Sequence, residues 1–193
     1  MKAIQYSRFG GPEVLELVEL PDPHPARGQI RVAVRAVGVN PIDWKLRSGM
    51  RGGDLPQRTG GEVAGVVDEV GDDVANVAIG DEVFGFAAGF DGAAELAVSA
   101  DFARIPPSLD FAGAAALPVA VETAVRTLDL VGVGAGSTVV INGAAGGVGT
   151  AAVQIAVDRG ARVLGTASPG NRDYLRSMGA EPTTYGDGLA ARL

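Results

Sequence analysis

Residues 143–149 form a glycine-rich turn of a kind that can bind phosphate. The turn reads Gly-Ala-Ala-Gly-Gly-Val-Gly, between the β-branched run Thr138–Ile141 and a segment with apolar residues at helical spacing. Such a turn lets the backbone approach a pyrophosphate, and unpaired N–H groups at the helix start point at its negative charge. The turn therefore predicts a dinucleotide site. The residues expected to contact the dinucleotide are Ala144, Ala145, Gly146, Gly147, Val148 and Gly149.

The turn departs from the G-x-G-x-x-G pattern at its first position. Ala144 stands there, while Gly146 and Gly149 fill the other two glycine positions. The alternative is a close strand-to-helix turn in another kind of α/β domain. The surroundings favour the dinucleotide site, because a strand precedes the turn, a helix follows it and a second strand is predicted at Arg162–Thr166.

The segment after that second strand bears on which dinucleotide is bound. An NAD site normally has a carboxylate there, about 20 residues beyond the glycine turn, but this chain has no acid between Thr166 and Asp173. Ser168 can donate to a phosphate oxygen, and Arg172 can pair with it through two parallel hydrogen bonds. We therefore expect NADP(H) as the cofactor. The alternative for Arg172 is a solvated position early in the next helix.

Composition excludes several other kinds of chemistry. Cysteine is absent and His24 is the only histidine, so disulfides and thiolate metal ligands are excluded and no metal site is expected. No nucleophile or metal-activated water is indicated, which leaves the catalytic residues unknown. The net charge of −7 without a basic patch argues against nucleic acid. No long apolar run or secretory signal is present, which predicts a cytoplasmic protein without a membrane partner.

The N-terminal part has the period-2 pattern of β-strands. Residues 29–37 alternate between an apolar and a more polar face, as a half-buried antiparallel strand does. An opening hairpin is expected around the turn Ser7 to Pro12. The other predicted strands are Lys2–Tyr6, 14–20, Glu62–Val70, Glu82–Phe86 and one that ends at Val98.

Two stretches before the glycine turn are expected to be helical. Asn40 resembles an N-cap, with Pro41 at the first helical position and Gly49 after the end. The pattern becomes helical again over residues 108–131, with Asp110 as a cap and Pro118 as an interruption. We therefore predict two domains, 1–120 and 121–193. The second has strands at 138–142, 162–166 and 183–185.

Five ordered motifs resemble one enzyme family. The sequence is similar to the quinone oxidoreductase-like (zeta-crystallin-like) branch of the medium-chain dehydrogenase/reductase superfamily. This resemblance implies an α/β fold, with a GroES-like β-rich catalytic domain followed by a Rossmann nucleotide-binding domain. It also implies NADPH-dependent reduction of quinones or of the C=C bond of α,β-unsaturated carbonyls. The motifs are Gly-Val-Asn-Pro-Ile-Asp (38–43), Gly-Gly-Glu-Val-Ala-Gly-Val-Val-Asp-Glu-Val-Gly (60–71), Gly-Asp-Glu-Val-Phe-Gly (80–85), Ala-Ala-Ala-Leu-Pro (114–118) and the glycine turn.

The second motif separates branches of that superfamily. Zinc-dependent alcohol dehydrogenases carry a histidine after its first glycine, and Gly61 stands at that position here. Catalytic zinc needs three protein ligands, which this chain does not offer in the usual form. The resemblance therefore implies a zinc-independent reductase that transfers hydride directly from the nicotinamide, with a proton from water or a hydroxyl relay.

The resemblance also assigns individual residues to the cofactor. It places Asn40 near the nicotinamide and ribose, Thr123 near the carboxamide, and Tyr185 against the adenosine end of NADPH. Lys45 stands where many relatives have a tyrosine, and its ammonium could reach a cofactor phosphate or a substrate carbonyl. The alternatives are a helix cap for Asn40, an ordinary helix residue for Thr123, a core aromatic for Tyr185 and a solvated helix face for Lys45.

The sequence ends earlier than this resemblance leads one to expect. The family's nucleotide domain has about six strands and only three are found here, so the chain is expected to be incomplete at the C-terminus of that domain. A homodimer is expected where the full domain is present. The alternative function is an NADPH-binding protein without turnover, such as a redox sensor, a scaffold or an inactive fragment.

Overall fold

Two units, each with its own sheets, make up the structure, which is a computed structural model. It describes residues 1–192. The first unit is Met1–Val119 and the second begins at Ala120.

The first unit is mainly antiparallel β-structure. A five-stranded sheet has the order β7-β3-β5-β6-β8, and a three-stranded sheet has the order β2-β1-β4. All neighbouring strands in both sheets are antiparallel. The elements are β1 (Lys2–Tyr6), β2 (Glu16–Glu19), β3 (Ile30–Val37), α1 (Pro41–Arg47), β4 (Gln57–Arg58), β5 (Glu62–Val70), β6 (Glu82–Phe86), β7 (Leu96–Ser99), β8 (Phe102–Arg104) and α2 (Phe111–Ala115).

The alternating pattern of β3 explains one core of this unit. Ile30 and Val32 are buried on one face of β3 and pack with Val67 of β5 and Val83 of β6. Full burial of such a side chain contributes about 1.5–3 kcal/mol relative to exposure. Gly65 in β5 lies so close to β3 that a Cβ would collide with the carbonyl of Ala33. The second motif's central glycine is therefore needed for strand pairing.

The second unit alternates helices with parallel strands. Its three strands form a parallel sheet with the order β11-β10-β9, in which Ile141 pairs with Gly165 and Gly165 with Pro182. Helices between parallel strands supply the crossovers that such a sheet requires. The elements are α3 (Pro118–Leu130), β9 (Thr138–Ile141), α4 (Gly147–Asp158), β10 (Arg162–Thr166), α5 (Arg172–Ser177), β11 (Glu181–Thr183) and α6 (Leu189–Arg192). Among residues 1–192, no helix is both long and apolar enough to cross a membrane.

Most of the predicted elements are present, and the differences have local causes. The α/β fold class is confirmed, and the predicted bounds of β5, β6 and β10 agree with the structure. The predicted third strand of the second unit is present, but its predicted bounds 183–185 are wrong, because β11 is Glu181–Thr183 and Tyr185 follows it. The helical stretch is interrupted at Pro118 as predicted, because α2 ends at Ala115 and Pro118 begins α3, where its missing N–H costs nothing. The two-residue β4 and three-residue β8 were not predicted, because such short strands have no readable alternation.

Candidate functional site

The glycine turn of the second unit joins β9 to α4. Gly143 has a φ of +71°, in the left-handed region that favours glycine, whereas Ala144 is fully buried and is not left-handed. The N–H of Ala144 donates to the carbonyl of Thr166 at the end of β10, at 2.9 Å. Alanine is therefore tolerated at the first position of the pattern, since the left-handed residue is the one before it.

A buried threonine fixes the start of this turn. The Thr166 hydroxyl accepts a hydrogen bond from the N–H of Gly143 at 3.0 Å and donates to Asn142 Oδ1 at 2.5 Å. Thr166 has no exposed surface. Sequence reasoning missed this role, although a polar residue that ends a buried strand is a usable signal for it.

Gly149 allows the turn and the helix to pack closely. A Cβ on Gly149 would collide with the carbonyl oxygen of Gly143 and lie 2.7 Å from the Cα of Ala144. A Cβ on Gly147 would have no other heavy atom within 4 Å. The last glycine of the pattern is therefore needed by the fold, and the space beside Gly147 is open to a ligand.

The start of α4 has the donors that a pyrophosphate needs. Within residues 1–192, the backbone N–H groups of Ala145, Gly147 and Val148 have no hydrogen-bond acceptor. Gly146 and Gly147 are exposed, so a bound group can approach the backbone. Free N–H groups at the positive end of a helix favour an anion. These residues therefore fit the pyrophosphate of a dinucleotide.

Three loops of this unit meet at one edge of its sheet. Because β9, β10 and β11 are parallel, the segments that follow them leave from the same carboxyl edge. These segments are the glycine turn, residues 167–171 and residues 184–188. The N–H of Ala167 donates to the carbonyl of Thr183 at 3.0 Å, which joins the last two. Ligands of open α/β sheets bind at such an edge.

Ser168 and Arg172 both belong to the segment that follows β10. The Ser168 hydroxyl accepts a hydrogen bond from Asn171 Nδ2 at 3.1 Å. Arg172 is the first residue of α5 and is exposed, and its guanidinium makes no hydrogen bond or ion pair to the part of the chain described. One turn later, Arg176 is paired with Asp173 at 2.7 Å. Of these two arginines, Arg172 is the one with a guanidinium available to a ligand.

Tyr185 and Thr123 lie elsewhere in the second unit. Tyr185 is 57% exposed, so the alternative of a core aromatic is wrong. Thr123 is half-buried in α3, and its carbonyl accepts a hydrogen bond from the Thr127 hydroxyl at 2.6 Å.

Asn40 in the first unit lies at the N-cap of α1, but its side chain has a more distant partner. Its Nδ2 donates to Glu62 Oε1 at 2.6 Å. The other oxygen of Glu62 accepts from the N–H of Val119 at 2.7 Å. Glu62 is 1% exposed, and a Cβ on Gly38 would collide with its carboxyl group. Asn40 is therefore more than a helix cap, because the buried carboxylate of Glu62 fixes its side chain.

A second carboxylate holds the backbone around Asn40. Asp43 Oδ2 accepts from the N–H of Asn40 at 2.7 Å, and Oδ1 accepts from Thr59 Oγ1 at 3.0 Å and the N–H of Gly60 at 3.1 Å. We call Asn40, Asp43 and Glu62 the Asn40 network. Asp43 lies in the first turn of α1, and the sequence alone does not predict its partners 16 and 17 residues away.

Lys45 lies on the same helix as Asn40. It is half-buried, with its Nζ 5.8 Å from the centre of the Trp44 ring.

Gly61 lies under an aromatic ring. A Cβ at Gly61 would be 3.0 Å from Cε1 of Phe90, so the space of a larger side chain is already occupied. Within residues 1–192, no three His, Asp or Glu side chains are grouped so that they could hold a metal ion.

A comparison with protein families matches residues 26–159 to the alcohol dehydrogenase GroES-like domain. Over 178 residues, the chain is 48% identical to the spectinabilin polyketide synthase system protein NorB of Streptomyces orinoci, covering 89% of this chain and 8% of that protein. It is also 44% identical to the quinone oxidoreductase of Rattus norvegicus over 173 residues. This match covers 86% of this chain and 53% of the rat protein. The chain thus spans about half the length of that oxidoreductase.

Solved structures agree with the sequence comparison. The quinone oxidoreductase of Coxiella burnetii superposes with a TM-score of 0.89 at 38% identity, over 99% of this chain and 65% of the other. The Escherichia coli quinone oxidoreductase complexed with NADPH gives 0.86 at 31% identity, over 100% of this chain and 61% of the other. The chain therefore belongs to the alcohol dehydrogenase GroES-like domain family and, within the medium-chain dehydrogenase/reductase superfamily, to the quinone oxidoreductase-like branch.

Proposed function

We propose that this protein binds NADPH and reduces quinones or the C=C bond of α,β-unsaturated carbonyls, without zinc. The observation that carries the proposal is the glycine turn, with its free N–H donors at the carboxyl edge of a parallel sheet. Membership of the quinone oxidoreductase-like branch supports the reaction class. A structural neighbour from Escherichia coli was solved with NADPH, which supports the cofactor.

Selectivity for NADPH rests on the loop after β10. The segment from Thr166 to Arg172 offers no carboxylate that would repel a 2′-phosphate. Arg172 has no partner among residues 1–192 and can bind a phosphate through two parallel hydrogen bonds. Ser168 adds a hydroxyl donor. The exposed ring of Tyr185, which follows the neighbouring strand, is proposed to contact the adenosine end.

The residues proposed to bind the nicotinamide end of the cofactor come from the family resemblance and from the hydrogen bonds around Asn40. Asn40 is proposed to contact the nicotinamide and ribose, Lys45 a cofactor phosphate or the substrate carbonyl, and Thr123 the carboxamide. The Asn40 network supports the first assignment, because two buried carboxylates fix both the backbone and the side chain of Asn40. A residue that binds a ligand in a fixed position needs supporting hydrogen bonds of this kind from its neighbours.

The chemistry follows from positioning rather than from a protein nucleophile. When bound, reduced nicotinamide supplies a hydride, which together with one proton converts a quinone to a hydroquinone or an enone to a saturated carbonyl. The glycine turn and Arg172 fix the cofactor, and the residues of α1 orient the reacting end. Rate then comes from holding the two reactants at short range, and the proton comes from water or a hydroxyl relay.

Independence from zinc rests on two observations. Phe90 fills the space beside Gly61, and the described residues hold no cluster of metal ligands. We expect NADPH oxidation to survive exhaustive chelation unchanged. Loss of activity on chelation, with recovery on added zinc, would contradict this part of the proposal.

The second candidate is an NADPH-binding protein without turnover. It needs only the free N–H donors of the glycine turn, which can bind a dinucleotide whether or not that dinucleotide is oxidised. Steady-state oxidation of NADPH is followed with 1,2-naphthoquinone, an α,β-unsaturated ketone and an α,β-unsaturated thioester, beside calorimetric titration of NADPH. Turnover with any of them supports the reductase. Binding without turnover supports the second candidate, and the absence of both contradicts the two proposals.

A further inference from the structure

The first unit contains a cleft that is large enough for a small molecule. Its volume is about 730 Å³, within the range of small-molecule binding sites. Its walls include β1, the last turn of α1, the loop that follows α1, β4 and the turn 89–91. Leu46, on the helix that also carries Asn40 and Lys45, lines the cleft.

The charges that line this cleft do not balance. The guanidinium of Arg58 donates to both carboxylate oxygens of Asp91, and this ion pair neutralises the charge of Arg58. Arg51 also lines the cleft, and among residues 1–192 its side chain has no hydrogen bond or ion pair. The cleft therefore presents one uncompensated positive charge, in a chain whose net charge is −7.

The loop that carries Arg51 is tied to a buried residue. Gln57 Nε2 donates to the carbonyls of Gly52 at 3.3 Å and Asp54 at 3.0 Å. Gln57 Oε1 accepts from the hydroxyl of Tyr6 at 2.7 Å, and Tyr6 is almost completely buried. The arginine is thus presented by an anchored loop.

Part of the remaining wall is apolar and suits a flat ring. Leu46, Pro56 and Phe90 line the cleft together with the polar groups. An aromatic face and two aliphatic side chains stabilise a planar conjugated ligand by packing. A guanidinium at the rim of such a wall recognises a carboxylate, sulfonate or phosphate through parallel hydrogen bonds.

We infer that this cleft is the substrate pocket and that Arg51 makes the enzyme selective for planar quinones or enones that carry an anionic substituent. This inference deepens the proposed function and rests on it. Arg51 is a specificity-determining residue here, because it binds the substituent and not the carbon that is reduced. The substituent is retained in the product.

A binding experiment tests the charge selectivity without the cofactor. Naphthalene-2-sulfonate and 2-naphthol are titrated calorimetrically into the 193-residue chain, into Arg51→Gln and into Arg35→Gln. Arg35 is a matched control, because it is exposed on β3 and does not line the cleft. We expect Arg51→Gln to weaken binding of the sulfonate about tenfold, a change typical for a lost charge-assisted hydrogen bond, and to leave 2-naphthol unchanged. Arg35→Gln should match wild type for both ligands.

Three outcomes overturn the inference. They are no measurable binding of the sulfonate to wild type, an equal loss for both ligands in Arg51→Gln, or no loss for either. The circular dichroism spectrum and urea midpoint of each variant establish that it is folded.

A turnover experiment links the cleft to the reaction. The ratio of kcat/KM for 1,2-naphthoquinone-4-sulfonate to that for 1,2-naphthoquinone should fall about tenfold in Arg51→Gln and stay constant in Arg35→Gln. An unchanged ratio in Arg51→Gln overturns the substrate assignment. If no variant oxidises NADPH while the sulfonate still binds through Arg51, the proposed function fails and the anion site remains.

Discussion

The two candidate sites are built from different atoms. The glycine turn of the second unit is made of backbone groups from consecutive residues, with Gly143 and the start of α4 only a few positions apart. The Asn40 network of the first unit is made of side chains that meet across the sequence, since Glu62 lies 22 residues from Asn40 and 57 from Val119. The glycine turn is thus exposed and built from residues that are close in sequence. The Asn40 network is buried and built from residues that are far apart in sequence.

This difference decides how each site responds to mutation. A buried carboxylate with two donors is needed by the fold, and its loss leaves both donors unsatisfied. An exposed turn is needed by the ligand, and most of its positions can change without harm to the fold. The variants below test that contrast, beginning with the largest expected effect.

Glu62→Ala is expected to be the most destabilising of these changes. It removes the acceptor of Asn40 Nδ2 and of the N–H of Val119 and leaves a cavity. We expect the free energy of unfolding to fall by about 3–4 kcal/mol in urea denaturation. Glu62→Gln keeps the volume of the side chain and should lower the free energy of unfolding by less than Glu62→Ala does.

The control for this change is Glu82→Ala, at an exposed glutamate on β6. It should stay within about 0.5 kcal/mol of wild type. If Glu62→Ala costs no more than Glu82→Ala, the Asn40 network does not stabilise the first unit.

Gly149→Ala tests a position of the turn where close packing in the fold also requires glycine. The new Cβ would collide with the carbonyl oxygen of Gly143, and we expect a loss of about 2–3 kcal/mol together with loss of NADPH binding. Gly134→Ala is the matched change, because a Cβ there meets no heavy atom within 4 Å and its φ is not left-handed. A Gly149→Ala variant as stable as Gly134→Ala, with normal NADPH affinity, would contradict the role given to the turn.

The same contrast explains how much the sequence could reveal. The strand, turn and helix around Gly146 follow from consecutive residues, so pattern and composition predict them. Glu62 could be recognised only through its motif, since no spacing rule predicts a carboxylate that bonds both Asn40 and Val119. The β-branched residues Thr183 and Thr184 favour a strand that continues to Tyr185. The structure ends that strand at Thr183.

Arg172→Ala should change cofactor preference without a change in stability. The exposed guanidinium has no partner among residues 1–192, so its removal costs the fold little, whereas a 2′-phosphate would lose about tenfold in affinity. Arg176→Ala is the matched control on the same helix, because that guanidinium is paired with Asp173. Titration of NADPH into both variants checks this. Equal losses in the two would mean that helix charge, and not Arg172, sets the affinity.

Tyr6→Phe should give the smallest effect and one that depends on pH. Burial, as the largest cause, raises the pKa of Tyr6 above its ordinary value of 10.0. The stabilisation from the protonated hydroxyl is complete below pH 10 and is lost as pH rises through the folded-state pKa. We expect Tyr6→Phe to cost about 1 kcal/mol at pH 8, through the lost bond to Gln57.

The difference in the free energy of unfolding between wild type and Tyr6→Phe should then become smaller as the pH is raised above 10. Urea denaturation at pH 8, 9, 10 and 10.5 measures it. A constant difference across this range would show that the ionisation of Tyr6 is not linked to folding.

The most direct test of the central claim, that the turn in the second unit is an NADPH site, is calorimetric titration of NADPH and NADH into the wild-type 193-residue chain. The free donors at the start of α4 and the unpaired Arg172 predict that NADPH binds with a dissociation constant lower than that of NADH by about an order of magnitude. Equal affinities, or no binding of either cofactor by the folded chain, would contradict it.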